Sequence, residues 1–248
     1  MVLCNTYKKK NININQIQDP ITKSLSYLIE DKKNNLGIII DPVEDMVDYY
    51  NDIASKHKFS LNYTLDTHVH ADHISGSNKL VNLNKNCRYF MGKAGDAVKI
   101  TKNLILNNSI FKIGDISLKA LHTPGHTVES FCFFLEPYLF TGDTLLINST
   151  GRTDLSNGST EMLYDSIFFI LLKLTKDTII LPGHDYQGKF SSTLAEQKSE
   201  NPYLKARDKQ EFIKLKKKQK LSDPEKICIS TKRNLQPIEM YKAFLQTC

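Results

Sequence analysis

Short apolar segments alternate with polar, turn-rich segments along the sequence, which predicts a mixed α/β fold. Period-two alternation or short apolar runs predict strands at residues 24–30, 37–40, 61–65, 130–139 and 178–181. Apolar residues at helical spacing predict helices at residues 44–58, 75–83 and 162–174. Residues 109–121 have the pattern of a hairpin that turns at Gly114 and Asp115.

The C-terminal region is more polar than the rest of the sequence. Residues 190–248 are predicted to form a mostly helical extension of a single domain that covers residues 1–248, with a short strand possible at residues 227–229. A length of 248 residues with 40% hydrophobic and 24% charged residues is typical of one globular domain. No apolar run approaches the roughly 20 residues that a membrane-spanning helix needs.

Composition and charge argue against several classes of function. The N-terminal residues have no basic segment followed by an apolar one and no early Arg, so we expect neither a signal peptide nor a transit peptide and predict a cytoplasmic location. Five cysteines without a C-x-x-C pair argue against a disulfide framework or a thiolate zinc site. The net charge of +6 lacks the aromatic interleaving of a nucleic-acid module. We predict no nucleic-acid or membrane partner. The lysines of residues 214–220 are predicted to form the solvated face of a late helix, and attraction of a small anionic substrate is the alternative.

A histidine cluster follows the predicted strand at residues 61–65. Side chains at positions i and i+2 of a strand end point the same way, so His68 and His70 can share one metal ion. Asp72 and His73 come slightly later and would face a neighbouring point. Because neutral imidazole is the commonest metal-binding side chain, this spacing predicts a metal centre.

Three later segments supply further candidate ligands at strand ends. His126 follows a Pro-Gly turn, Asp143 follows a predicted strand and Gly142, and His184 follows a second Pro-Gly pair. All these ligands offer nitrogen or oxygen, which suits zinc, iron or manganese. Asp143 lies between the histidine segments in the sequence and can bridge two ions, so the residues alone leave one or two metals open.

These motifs together resemble the metallo-β-lactamase superfamily, and within it the persulfide dioxygenases. The resemblance covers residues 24–186. It is carried by residues 41–43 (DPV), 67–76 (THVHADHISG), 140–154 (FTGDTLLINSTGRTD) and 182–186 (PGHDY). It implies a four-layer αββα sandwich and a persulfide dioxygenase that oxidises glutathione persulfide with O₂ and water to sulfite and glutathione.

The resemblance also implies roles for particular residues. One Fe(II) ion per chain would be bound by His68, His126 and Asp143, in a facial triad with open positions. Arg152 and Tyr186 are candidate contacts for glutathione, with an ion pair between Arg152 and Asp154 as the alternative. Members of the family often form homodimers, so a homodimer is expected. The groups left to surround the iron, or to hold a second metal, are His70, Asp72, His73 and His184.

A hydroxyacylglutathione hydrolase of the glyoxalase II type, with two zinc, iron or manganese ions, is the alternative. Residues 151–154 (GRTD) and the pair His184-Asp185, where glyoxalase II usually has Gly-His-Glu, favour the dioxygenase. The 62 residues after Tyr186 are also fewer than the glutathione-binding domain of glyoxalase II needs. The sequence departs from the dioxygenase pattern at Glu129-Ser130, where a Gly-Cys pair is usual, and keeps only Asn234 of the C-terminal motif.

Overall fold

The structure is a computed structural model that describes residues 4–93, 103–155, 157–219, 221–222 and 227–235. The chain divides into two compact units. The first unit comprises Met1–Ile105, Phe111–Ser117 and Pro224–Cys248, and the second comprises Leu106–Ile110 and Leu118–Asp223. In the described part of the chain, no helix has the length and apolar character needed to cross a membrane.

Seven strands of the described chain form the first sheet, in sequence order from one edge to the other. The first four strands pair antiparallel, and the last three continue the sheet in parallel. The strands are β1 (Cys4–Lys9), β2 (Ile12–Gln18), β3 (Leu25–Asp31), β4 (Leu36–Ile40), β5 (Ser60–Leu65), β6 (Arg88–Met91) and β7 (Asn103–Leu104).

The described part of the first unit contains three α-helices: α1 (Val47–His57), α2 (Ser77–Leu83) and α6 (Ile227–Asn234). Helix α1 presents Val47, Tyr50 and Ala54 on one buried face, at the spacing of an amphipathic helix. That face shares a core with Leu28 and Ile39 of the first sheet. The strand-helix-strand connection through α1 therefore fixes where β5 ends and where the loop after it begins.

The second sheet has the order β13-β12-β11-β10-β9-β8. Its strands are β8 (Ile110–Ile113), β9 (Ile116–His122), β10 (Phe131–Leu135), β11 (Tyr138–Gly142), β12 (Ile179–Pro182) and β13 (Ser192–Thr193). Strands β11 and β12 are parallel, so their carboxyl ends lie side by side. Asp143 directly follows β11, and His184 follows β12 after one residue, Gly183. This explains why residues 41 positions apart in the sequence meet.

The helices of the second unit are α3 (Thr160–Asp165), α4 (Leu194–Glu200) and α5 (Lys209–Lys217). Helix α3 continues through a π turn, Ser166–Ile170, into a 3-10 turn, Leu171–Lys173. Side-chain caps begin all three helices, from Ser159, Thr193 and Asp208. These helices share a hydrophobic core with the second sheet, which includes Leu139, Ile180, Leu163, Ile167 and Phe212.

The sequence predictions agree with most of these elements. The mixed α/β class, the helices at residues 44–58, 75–83 and 162–174, and the hairpin at residues 109–121 are confirmed. The single strand predicted at residues 130–139 is wrong, because the chain turns at Glu136-Pro137 and pairs β10 with β11. Proline has no amide hydrogen to donate to a neighbouring strand, which explains the break.

The short strand considered at residues 227–229 is also wrong, because these residues open α6. Three apolar residues cannot separate strand from helix, and burial of Ser230 and Asn234, one helical turn apart, decides in favour of the helix. The sequence interpretation missed β1, β2, β6, β7 and β13. The division into one domain with an extension at residues 190–248 stays a prediction.

Replacing Phe212 by alanine should destabilise the second unit, because this ring is fully buried and packs edge-on against Tyr164 and Phe168. Loss of a buried phenylalanine costs about 3–5 kcal/mol. Urea unfolding of Phe212→Ala, compared with the exposed neighbour Lys214→Ala, measures this effect. Equal free energies of unfolding for the two variants would contradict the placement of α5 in the core.

Candidate metal centre

The loop between β5 and α2, here called the histidine loop (residues 66–76), contains four of the candidate ligands: His68, His70, Asp72 and His73. His68, His70 and His73 are each only 2% exposed. The ring centroids of His68 and His70 are 4.2 Å apart, and so are those of His70 and His73. Buried imidazoles this close to one another need defined partners, because a buried polar group without a partner is costly.

Asp41, at the end of β4, anchors the start of this loop. Its carboxylate accepts hydrogen bonds from the Thr67 amide at 2.7 Å and from the Thr67 hydroxyl at 2.8 Å. Since the hydroxyl hydrogen is used on Asp41, the Thr67 oxygen accepts from Nδ1 of His68 at 2.9 Å. The proton of His68 therefore sits on Nδ1, and the lone pair sits on Nε2, where a metal ligand needs it.

Asp41 also holds His70, whose Nε2 lies 3.2 Å from the carboxylate. Burial opposes charge on His70, but the negative charge of Asp41 and its hydrogen bond outweigh burial and raise the pKa of His70 to about 9. The neighbouring Asp66 accepts from Ser75 and Ser77 at 3.0 Å and from Tyr89. Burial raises the pKa of Asp66.

The second half of the loop leaves ligand atoms that suit a metal. Nδ1 of His73 lies 3.0 Å from Asp72, which also accepts from the Ser24 hydroxyl at 2.8 Å. Nδ1 of His70 and Nε2 of His73 are buried without a hydrogen-bond partner among the described residues. Candidate ligand atoms of His70, Asp72 and His73 lie within 4.8 Å of one another. The nitrogen and oxygen donors of this loop therefore fit a metal ion.

The second unit brings together His126, Asp143 and His184. Nδ1 of His126 donates to the carbonyl oxygen of Arg152 at 2.8 Å, and a carbonyl can only accept. The lone pair of His126 is therefore on Nε2, which lies 3.8 Å from Oδ2 of Asp143. Two atoms that each bind one ion at about 2.1 Å can be at most about 4.2 Å apart, so this pair fits a shared ion.

His184 fixes the orientation of Asp143. Its Nδ1 lies 2.7 Å from Oδ1 of Asp143, and this contact assigns Oδ2 to the side that faces Nε2 of His126. Two glycines make the close packing possible. A Cβ atom on Gly183 would lie 2.6 Å from Oδ1 of Asp143, and one on Gly151 would collide with the Asp143 carbonyl oxygen. Close packing against Asp143 therefore explains why glycine stands at positions 151 and 183.

The sequence profile described as "Metallo-beta-lactamase superfamily" matches residues 97–184. The mitochondrial persulfide dioxygenase ETHE1 of Homo sapiens is 31% identical over 227 residues, which cover 91% of this chain and 88% of that protein.

The chain belongs to the persulfide dioxygenase family of the metallo-β-lactamase superfamily. The crystal structure of ETHE1 from Myxococcus xanthus agrees, with a TM-score of 0.84 and 32% identity over 89% of this chain and 97% of that one. A hydroxyacylglutathione hydrolase of Dictyostelium discoideum is 35% identical, but the match covers only 72% of this chain and 69% of that protein.

The resemblance to the persulfide dioxygenases suggests Arg152 as a contact for glutathione. The guanidinium forms a two-point ion pair with Asp154, at 2.8 and 2.9 Å, and donates to the Ser222 carbonyl at 2.8 Å. This is the alternative arrangement that the sequence allowed, and the hydrogen bond to Arg152 holds the pKa of Asp154 below its usual range. Tyr186 is 71% exposed and stacks on His184 with 5.6 Å between ring centroids.

Lys216 of α5 contacts the segment of residues 151–154, which contains Arg152 and Asp154. Its ammonium donates to the Gly151 carbonyl at 2.8 Å and to Gln219 at 2.5 Å, beside the ring of Tyr203. Burial lowers the pKa of Lys216 to about 8, although the charge of Asp154 opposes this. Sequence interpretation missed Lys216, Asp66 and Thr67, because their partners are identified only once the chain is folded.

The hydroxyl of Thr67 is expected to be needed for tight metal binding, since it fixes the tautomer of His68. Thr67→Val keeps the shape of the side chain and removes this link, so we expect the dissociation constant for Co(II) to rise by about 10- to 100-fold. Thr67→Ser keeps the hydroxyl and is the matched control. Equal affinity of the valine and serine variants would show that the link is unimportant.

Stability should depend on the titration of Lys216. Its folded pKa of about 8 lies below the usual 10.5, so between these values the unfolded chain binds more protons and stability rises with pH. At about 1.4 kcal/mol per pH unit above about 8, the wild type should gain about 2 kcal/mol over Lys216→Met from pH 7 to 9.5. Urea unfolding checks this, with Lys217→Met as control; a constant difference contradicts it.

Proposed function

We propose that the protein is an iron-dependent persulfide dioxygenase. Glutathione persulfide, O₂ and water would give glutathione, sulfite and two protons. The bond between the two sulfur atoms breaks, and the terminal sulfur gives up four electrons to O₂ and gains three oxygen atoms, two from O₂ and one from water. The thiol of glutathione is released as the other product.

The observation that carries this proposal is similarity along almost the whole chain. The match to the human persulfide dioxygenase extends over 91% of this chain, whereas the match to the Dictyostelium hydrolase stops at 72%. The architecture of this chain follows the dioxygenase branch.

His68, His126 and Asp143 are the proposed iron ligands. Each has one atom engaged by a neighbour: Nδ1 of His68 by Thr67, Nδ1 of His126 by the Arg152 carbonyl, and Oδ1 of Asp143 by His184. These contacts leave Nε2 of His68, Nε2 of His126 and Oδ2 of Asp143 without a proton, as a metal ligand atom must be. Two histidines and one carboxylate would leave open positions on a bound Fe(II) ion, which would supply the electron transfer between sulfur and O₂.

One iron per chain is proposed, with His70, Asp72, His73 and His184 as surrounding groups. The carboxylate of Asp72 already accepts hydrogen bonds from Ser24 and His73. His184 directs Asp143 by donating to it. These four side chains would orient the ligands and hold water or substrate by hydrogen bonds. A carboxylate stabilised in this way has less need of a second cation.

The remaining features of the substrate site are also proposals. Exposed Tyr186 would contact the glutathione moiety, and Arg152 would reach its carboxylate only by exchanging the ion pair with Asp154. The net charge of +6 would favour an anionic substrate such as glutathione persulfide. The cytoplasmic location and the homodimer stay predictions.

A two-metal hydroxyacylglutathione hydrolase is the second candidate. Two observations favour it: the 35% identity to the Dictyostelium hydrolase, and the second group of ligand atoms formed by His70, Asp72 and His73. In such an enzyme two zinc, iron or manganese ions would activate water for attack on a thioester. The two candidates therefore differ in metal count and in whether O₂ is consumed.

Elemental analysis combined with O₂ uptake separates the two functions. We expect one iron per chain, and one O₂ consumed and one sulfite formed for each glutathione persulfide. S-lactoylglutathione should not be hydrolysed by the iron-loaded protein. Two metal ions per chain, with hydrolysis of S-lactoylglutathione and no persulfide-dependent O₂ uptake, would establish the hydrolase instead.

Paired substitutions test the proposed ligand set. Asp143→Ala should lose iron, because it removes a proposed ligand and the partner of His184. Asp72→Ala should keep close to one iron per chain, because Asp72 serves only as a hydrogen-bond acceptor when one metal is bound. Iron content after desalting measures both. Comparable iron loss in the two variants would point to a binuclear centre.

A further inference from the structure

The last residue of α6 contacts the histidine loop through three hydrogen bonds. Oδ1 of Asn234 accepts from the Ser75 amide at 2.8 Å. Its Nδ2 donates to the carbonyl oxygens of His70 and His73, both at 2.9 Å. The side chain is 4% exposed, so water cannot easily replace these bonds. The carboxamide thus recognises three backbone groups within six residues of loop.

Asparagine is the residue type that this position requires. The loop needs one acceptor and two donors on a short side chain, and a carboxamide supplies both. Aspartate would place a second acceptor against two carbonyl oxygens. Alanine would leave two carbonyls and one amide buried without these partners, which is unfavourable.

The opposite side of the loop is held by the segment after β4. The Glu44 amide donates to the Ile74 carbonyl at 2.9 Å, and the Gly76 amide donates to the Pro42 carbonyl at 2.6 Å. Asn234 supplies the complementary support. Residues 68–74 form no helix or strand, so their carbonyl groups depend on such contacts.

Helix α6 is itself attached near the loop. Arg233 forms an ion pair with Glu44 at 3.1 Å, and Ser230 lies buried one turn before Asn234. Leu235 packs beside Tyr89 and Met91 at the end of the first sheet. These contacts place Asn234 against the loop without using any candidate ligand side chain.

We propose that Asn234 is a positioning residue that couples docking of α6 to metal binding by the histidine loop. By fixing the carbonyls of His70 and His73, it sets the backbone of the loop that also carries the proposed ligand His68, whose ring centroid lies 4.2 Å from that of His70. Coupling is reciprocal, so metal binding must in turn stabilise the docked α6. This inference goes beyond the proposed dioxygenase reaction, because it holds for whichever reaction the bound metal performs.

Co(II) binding to the full chain tests the proposal, since Co(II) reports ligand geometry through its absorption spectrum and needs neither O₂ nor persulfide. Asn234→Asp and Asn234→Ala should raise the Co(II) dissociation constant by about 10- to 100-fold and alter the visible spectrum. Ser230→Ala is the matched control, because it lies on the same buried face and its hydroxyl has no hydrogen-bond partner among the described residues. Wild-type affinity and spectrum in both Asn234 variants would overturn the proposal.

Hydrogen exchange of the unsubstituted protein gives an independent test that does not depend on the folding of any variant. Adding Co(II) should slow amide exchange in α6 as well as in the histidine loop. Asn234→Ala, where it folds, should keep the loop response and lose the α6 response. Exchange in α6 of the wild type that is indifferent to Co(II) would refute the coupling, whatever the outcome of the activity measurements.

Discussion

The carboxylate of Asp41 is the interaction on which the histidine loop depends. It is 2% exposed and accepts from the Thr67 amide, the Thr67 hydroxyl and Nε2 of His70. A buried carboxylate is stable only when several hydrogen-bond donors surround it. The carboxylate of Asp41 and the groups that donate to it therefore fix one another's positions. The backbone of Asp41 has a φ of 50°, in the left-handed region, which a non-glycine residue adopts at a cost. The loop contacts offset that cost.

In the second unit, hydrogen bonds with neighbouring groups also fix a candidate ligand, but the acceptor is not a carboxylate. There a backbone carbonyl, that of Arg152, determines the tautomer of His126, and Lys216 and Asp154 hold the segment that carries this carbonyl. A carbonyl cannot donate, so it defines the proton position without ambiguity. The ion pair of Arg152 therefore has a structural role near the candidate metal ligand.

The sequence indicates the candidate ligands because they lie within a few residues of strand ends, where local pattern and chemistry coincide. It did not predict their supports. Asn234 lies 164 residues from His70, and no local pattern marks such a pairing. The strands β1 and β2 were missed because Asn and Lys interrupt their alternation, although Ile12, Ile14 and Ile17 are buried. The helix at residues 227–234 needed tertiary contacts to be distinguished from a strand.

The turn that carries His126 departs from the family pattern in one supporting side chain. Ser130 stands where the family usually has cysteine, and its hydroxyl lies 2.7 Å from the Thr127 hydroxyl and accepts from the Thr127 amide at 3.2 Å. The Gly125 amide donates to the Thr127 carbonyl in the same turn. These bonds close the turn that carries His126, so a hydroxyl at position 130 supports the ligand position. Since ligand atoms are constrained by the ion but supports only by the backbone they hold, the supports can vary more freely.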